Sequence, residues 1–260
     1  MNLINAIILG LVEGITEFLP ISSTGHMILA SKLLSIPSSE FLKTFEIFIQ
    51  TGAILAVLTV YWKDLVTKFD LLKKVIVGFI PTAAVGLLMY KVVKTYFLGN
   101  ITLALWALSL GGVILILIEL YLKRHATRNT QRADVSLSYK NAALIGLVQS
   151  ISIIPGVSRS AATIIGGMVL GMDRKTAVEF SFLLAIPTLL AATGLDLVKT
   201  NFNFSQNEWM FLAAGFVASF VVAVLSIKWL LSYVKRYTFI PFGAYRIVIA
   251  LFLAGLFFLK

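Results

Sequence analysis

The sequence predicts an all-α polytopic membrane protein: six transmembrane helices plus two re-entrant helix-loop-helix hairpins in an inverted-topology repeat. Three observations carry that expectation. First, the chain is 59% apolar and 13% charged, with a mean hydropathy of +0.94. That is about half the charged share of ordinary globular chains, too little to cover an exterior in water, so lipid is the simplest home for the excess apolar surface. Second, six apolar runs approach the ~20 residues needed to cross hydrocarbon. Third, two further apolar stretches break about halfway at turn-formers, and the two halves of the chain repeat each other.

In chain order, the first broken stretch is 3–34, interrupted at Pro20-Ile21-Ser22-Ser23-Thr24-Gly25, and spans follow near 45–62, 75–90 and 101–122. The second broken stretch is 141–172, interrupted at Pro155-Gly156-Val157-Ser158-Arg159-Ser160, and is followed by spans near 177–198, 209–231 and 237–259. Lipid cannot satisfy free backbone groups, so a break at membrane depth needs protein or a wet cavity around it. Both interruptions therefore read as hairpins whose tips meet inside the protein. Gly10-Leu11-Val12-Glu13 returns as Gly146-Leu147-Val148-Gln149 at an offset of 136, which also pairs Ser22 with Ser158 and Thr24 with Ser160. Glu46 and Glu179 match at an offset of 133. One hairpin plus three spans per half is an odd number of crossings, which inverts the second copy. The expected organisation is a single membrane domain over 1–260, with repeats of approximately 1–122 and 141–259 joined by a basic cytoplasmic loop, 123–140.

The net charge of +10 fits cytoplasmic loops better than a nucleic-acid surface. Loops 63–74, 123–140, 173–176 and 232–237 hold 13 Lys and Arg, against 5 (Lys43, Lys91, Lys94, Lys199, Lys260) in the alternate set. The first set is then cytoplasmic and both termini lie outside. Residues 1–18 hold two Glu and no Lys or Arg, which predicts no cleaved signal peptide. With no cysteine, disulfides and thiolate metal sites are excluded, leaving oxygen or histidine ligands.

The chemistry concentrates at the breaks. Glu13 and Glu17, four apart on an apolar helix, share one face with Cβ atoms roughly 5–6 Å apart. At membrane depth such a pair needs a cation, a proton or a polar cavity; the plainer reading places both at the wet outer interface. Oxygen-only ligands suit Mg²⁺ or Ca²⁺. Ser22-Ser23-Thr24-Gly25-His26 gathers hydroxyls beside one of two histidines in the chain. A serine there can act as nucleophile and an imidazole as general base or acid, although Ser22 can equally cap the next helix. Arg159, at the second break, suits bidentate phosphate recognition near a helix start, or an internal pair with Glu13 or Glu17. Glu46 and Gln50 lie one turn apart and can line the same cavity or mark a span end, and Glu179 reads alike. Glu119, Asp196, Lys228 and Arg246 lie near loops and read as snorkelling side chains. Lys123-Arg124-His125, with Arg128 and Arg132, reads as a solvated loop for which anionic headgroups suffice as partner. No Walker-type glycine loop is present.

The string Gly10-Leu-Val-Glu13-Gly-Ile-Thr-Glu17-Phe-Leu-Pro20-Ile-Ser22-Ser23-Thr24-Gly25-His26, with Pro155-Gly-Val-Ser158-Arg159-Ser160 and Glu179-Phe-Ser-Phe-Leu-Leu-Ala-Ile-Pro187, closely resembles the bacitracin-resistance type of undecaprenyl-diphosphatase over nearly the whole chain. The resemblance implies a multipass enzyme of the bacterial cytoplasmic (inner) membrane, its site opening to the periplasmic side. It implies removal of the terminal phosphate of undecaprenyl diphosphate, which recycles the lipid carrier for peptidoglycan synthesis and confers bacitracin resistance. The implied partners are the polyprenyl diphosphate lipid and the bilayer, with a homodimer left open and no nucleic acid; the implied cofactor is a divalent cation, Mg²⁺ or Ca²⁺. Carried over by position, Glu13 and Glu17 fall in the acidic motif and would hold the metal. Glu17, Ser23, His26 and Arg159 would be catalytic, with Ser23 the preferred nucleophile over direct attack by water and His26 the proton carrier. Ser22, Thr24, Ser158, Arg159 and Ser160 would bind substrate. A second lipid-phosphatase type, that of phosphatidic acid, needs a histidine after its Ser-Arg box, and no His follows Arg159. The contrasting class is a secondary transporter or flippase of polyprenyl phosphate, because inverted repeats with broken helices also build transporters.

Overall fold

Asn2 caps the first helix, its side-chain oxygen accepting from Asn5 N at 2.8 Å, and α1 runs Leu3–Thr16 before the first break. In the computed structural model, α2 follows over Ser23–Leu33, α3 over Glu40–Val60, α4 over Trp62–Thr67, α5 over Phe69–Val92 and α6 over Ile101–Ala126. The second half comprises α7 (Tyr139–Gln149), a 3₁₀ turn (Ser150–Ile153), α8 (Arg159–Val169), α9 (Arg174–Val198), α10 (Gln206–Tyr233) and α11 (Ile240–Phe258). The structure describes residues 1–97, 100–126, 137–198 and 203–258, without the side chains of Lys94, His125 and Ala126, and among these residues there is no strand. The expectations for His125, Arg128, Arg132, Lys94, Lys199 and Lys260 lie outside the described parts.

Among the described residues six helices are long and apolar enough to cross a membrane: α3, α5, α6 (over Ile101–Arg124), α9, α10 and α11. They coincide with the six apolar runs of the sequence. α3, α5 and α9 begin several residues before their apolar runs, because a helix continues through flanking polar residues once its hydrogen bonds are seeded. One boundary differs. The run expected to end at 62 stops at Val60, and Trp62 starts the separate short helix α4. α5 and α9 carry Pro81 and Pro187 in their interiors, which membrane-spanning helices tolerate where neighbouring groups re-satisfy the freed backbone.

Small residues let the broken helices approach the spans closely. On α1, a Cβ at Gly10 would collide with the Gly215 carbonyl of α10, and one at Gly14 would lie 2.6 Å from Ser219 O. On α7, a Cβ at Gly146 would collide with the Gly78 carbonyl of α5. The glycines paired at the 136-residue offset thus make the same backbone-to-backbone contact, each against a glycine of a different span. α1 also packs on α2 and α7 on α8, while α3 meets α9 and α6 meets α11. The central core gathers Phe18, Ala53, Val57, Ile145, Ile164, Phe182 and Ala223, with Phe18 edge-on to Phe182 at 5.3 Å.

Two charged residues expected to snorkel do not. Glu119 has a side chain 0% exposed and takes a two-pronged bond from Arg174, Nε to Oε1 at 3.0 Å and an NH2 nitrogen to Oε2 at 2.7 Å. Phe239 N donates to the same carboxylate at 2.9 Å. Arg246 is fully buried. Its guanidinium donates to the carbonyls of Leu108, Ala107, Gly156 and Pro20 at 3.1–3.4 Å. Each had partners inside the protein, so neither needed to reach the interface. Lys228 and Asp196 are exposed, as expected.

Candidate active site at the meeting of two helix breaks

The site is assembled from the ends of α1 and the starts of α2 and α8. Glu17 follows the last residue of α1, its N–H still bonded to Glu13 O at 3.0 Å, so the two carboxylates stand on one helical face as the i, i+4 spacing demands. Both are buried, Glu13 at 1% and Glu17 at 7% exposure. Across the break, Arg159 donates to Glu17 Oε1 at 3.1 Å, a pair joined over 142 residues of sequence. The second Glu17 oxygen, Oε2, accepts from Ser23 Oγ at 2.7 Å. One carboxylate therefore grips the guanidinium with one oxygen and the serine hydroxyl with the other.

Arg159 is held from its far side by α9: Ser181 O accepts from it at 2.9 Å, and Ser181 Oγ and Thr163 Oγ1 lie 2.6 Å apart. Its Nε has no hydrogen-bond partner, and neither does Glu13 Oε1. Unpartnered buried polar atoms are rare in folded proteins, and these two flank the same ion pair.

The hydroxyls divide by role. Ser158 caps α8, its side chain accepting from Ala161 N at 3.2 Å, and shares a 2.9 Å bond with Ser160 Oγ, which itself donates to Leu19 O at 2.8 Å. Both were expected on the substrate; Ser160 joins the second break to the first through Leu19 O, while Ser158 bonds within the second break. Ser22 does not cap α2. It adopts φ +71°, in the left-handed region that non-glycine residues avoid, and makes no cap bond. The first N–H groups of α2 are therefore left without a side-chain acceptor, beside Ser23 and the exposed Thr24.

His26 was expected to serve as proton carrier beside Ser23; among the described residues the two share no hydrogen bond. Its Nδ1 meets Ser22 O at 2.8 Å and its Nε2 meets Tyr245 Oη at 2.8 Å, so the base in contact with Ser23 is Glu17. Glu46 is half-buried with Ser31 Oγ 3.5 Å from its Oε1, near enough for its charge to act on Glu13. Gln50 is half-buried. Glu179 does not join them. It lies 3.6 Å from Lys175 and lines a separate cleft of about 430 Å³ with Thr59, Tyr61, Lys63 and Asp64 at the other end of α3.

Tyr245 and Ser181 were not singled out by the sequence, and Arg246 was read only as a snorkelling side chain. Arg246 reaches Pro20 O in the first break and Gly156 O in the second, so one buried cation ties both tips to α6. The signal was present: an ionisable residue inside an apolar run is functional by default, and Gly111 stands where a Cβ would collide with the Arg246 guanidinium.

Residues 6–252 match the family described as Bacitracin resistance protein BacA. The chain belongs to that family. It is 47% identical over 252 residues to a protein of Aquifex aeolicus named undecaprenyl-diphosphatase, covering 97% of each chain. Family proteins of the same name from Persephonella marina and Sulfurihydrogenibium sp. are 50% identical over 250 residues (96% of each chain) and 48% identical over 251 residues (96% of this chain, 98% of the other).

Proposed function

We propose that the chain is an integral-membrane phosphatase that hydrolyses undecaprenyl diphosphate to undecaprenyl phosphate and inorganic phosphate, recycling the carrier lipid for peptidoglycan synthesis and conferring bacitracin resistance. Full-length identity to proteins of that name carries the substrate. A single observation carries the chemistry: Glu17 binds Ser23 Oγ and Arg159 at once, between two helix ends.

In the reaction this geometry supports, the diphosphate displaces the internal ion pair, and Arg159 and the free N–H groups of α2 take up the oxygens of the terminal phosphoryl group, stabilising charge where it develops. Ser23 Oγ attacks phosphorus as its proton passes to Glu17, and the anhydride bond breaks with its electron pair leaving on the lipid monophosphate. Water then attacks the phosphoserine, Ser23 Oγ departs and regains a proton from Glu17, and His26 receives the proton from water. Direct attack by water is the rival route, with His26 in the same role. Ser22, Thr24, Ser158 and Ser160 border the phosphoryl group, Ser160 also tying the two breaks together through Leu19 O.

A divalent cation fits here by donor chemistry. Glu13 offers a buried carboxylate oxygen with no hydrogen bond, Glu17 lies one turn away, and hard oxygen donors suit Mg²⁺ or Ca²⁺. Among the described residues no third Asp, Glu or His joins them, so hydroxyl, water or phosphate oxygens would complete the shell. Bound there, the cation would supply positive charge against the phosphoryl oxygens.

We read α1–α2 and α7–α8 as re-entrant hairpins in inverted repeats. Their helices span 14, 11, 11 and 11 residues, or about 16–21 Å at ~1.5 Å per residue, short of a ~30 Å hydrocarbon core. The partners of each hairpin pack on each other, and the Gly10 and Gly146 contacts repeat across the halves. With the basic loops cytoplasmic, the site opens to the periplasmic side of the inner membrane. The deciding measurement is inorganic phosphate released from the lipid diphosphate by the purified protein in detergent, with and without chelator. Release that chelator abolishes is expected; an intact diphosphate lipid with Mg²⁺ or Ca²⁺ supplied would leave lipid-phosphate transport as the better account.

A further inference from the structure

We propose that Tyr245 is a positioning residue of the phosphatase reaction, its hydroxyl orienting His26 and relaying the proton that His26 accepts. The inference deepens the reading above and rests on it. Ser22 O, a carbonyl, can only accept a hydrogen bond, so the 2.8 Å contact fixes the hydrogen of neutral His26 on Nδ1. The lone pair is then on Nε2, and the phenol of Tyr245, 2.8 Å away, donates into it. The two rings stack at 5.4 Å with 12° between their planes, which leaves the imidazole no freedom to turn. His26 is 8% exposed and Tyr245 42%, so the tyrosine is the more accessible member of the pair.

The height of that hydroxyl is set by its neighbour in sequence. Arg246 fastens α11 to Leu108 O and Ala107 O of α6 and to both break tips, through Pro20 O and Gly156 O. The anchor that fixes the tips therefore fixes Tyr245 over His26. Proton transfer follows without net charge on the tyrosine: water attacking phosphorus passes its proton to the Tyr245 oxygen as the phenolic proton moves to Nε2. The products are neutral tyrosine and imidazolium, and the reverse transfer releases the proton to solvent. This holds whether water attacks the phosphoserine or the diphosphate itself.

The test is Tyr245→Phe, which keeps the ring and removes only the hydroxyl, assayed with wild type, His26→Gln and the double variant as detergent-solubilised full chains. A kcat lowered about 10²-fold with unchanged KM is expected, in the range of lost proton-transfer catalysis. The double variant should be no slower than His26→Gln alone, since the hydroxyl acts through the imidazole. Wild type should show a curved proton inventory in H₂O–D₂O mixtures, from two protons in flight, and Tyr245→Phe a linear one. Wild-type kcat in Tyr245→Phe, or losses that multiply in the double variant, would overturn the relay while the phosphatase reading stands. Wild-type kcat in His26→Gln would remove the His26 role and this inference with it, and absence of phosphate release from wild type would remove the phosphatase reading itself.

Discussion

The break after α1 and the break after α7 share a sequence pattern, and the structure finishes them in opposite ways. After α7, Gln149 sits where Glu13 sits in the first half, and its amide donates to Thr82 Oγ1 at 2.9 Å and Thr188 Oγ1 at 3.0 Å. Ser158 then starts α8 as an ordinary N-cap with extended backbone. After α1, the carboxylate of Glu13 keeps an oxygen without a partner, and Ser22, the counterpart of Ser158, turns to φ +71° and caps nothing. The second half supplies the cation, Arg159, and the first supplies the acids and the nucleophile; among the described residues each keeps a buried polar atom without a hydrogen-bond partner, Glu13 Oε1 in the first and Gln149 Oε1 and Arg159 Nε in the second. Of the two counterpart serines only Ser22 holds a strained backbone.

The sharpest way to break this contrast is to remove the link between the halves. Glu17→Gln and Arg159→Ala should each lower phosphate release by about 10²–10³, the cost of losing one group that stabilises transition-state charge. Arg159→Ala should also lose about 3–5 kcal/mol of stability, since it strands a buried carboxylate. Phosphate yields equal to wild type in both would dissolve the site. Exchanging the paired residues sharpens the contrast at smaller scale. Glu13→Gln should weaken activation by Mg²⁺ or Ca²⁺ at least tenfold, read as the metal concentration giving half-maximal rate. Gln149→Glu should leave metal activation unchanged and lower the melting temperature, because the new carboxylate cannot donate to either threonine. The smallest effect expected is at the caps: Ser158→Ala should cost ~1 kcal/mol of thermal stability in detergent, whereas Ser22→Ala should leave it within a few tenths, there being no cap bond to lose. Equal destabilisation by the two would erase the distinction between the breaks.

Much of this was legible in the residues. Apolar runs about as long as a bilayer is thick located all six candidate spans, and Pro, Gly and Ser in the middle of apolar stretches located both breaks. Opposite charges in two segments that lipid forces inward had to find each other, and Glu17 with Arg159 did so. What stayed hidden depended on neighbours remote in sequence. Nothing near Arg246 announces carbonyls at Leu108, Pro20 and Gly156, and Glu119 lies 55 residues from Arg174. That His26 and Ser23 share no hydrogen bond was equally invisible, although three positions divide them. On one helical turn direction decides: Ser23 faces Glu17, while His26 faces Tyr245 of α11.

Taken alone, the chain's composition and patterning dictated the solvent, the helical class, the number of long spans and the places where helices had to stop, because hydrocarbon forbids unpaired backbone and selects apolar runs of one length. Packing decided the rest. Which hydroxyl meets which acid, which serine caps and which is strained, and which cation is a ligand for backbone rather than phosphate all turn on hydrogen bonds a few ångströms long. Such bonds form between groups that only the folded arrangement of the helices brings within reach.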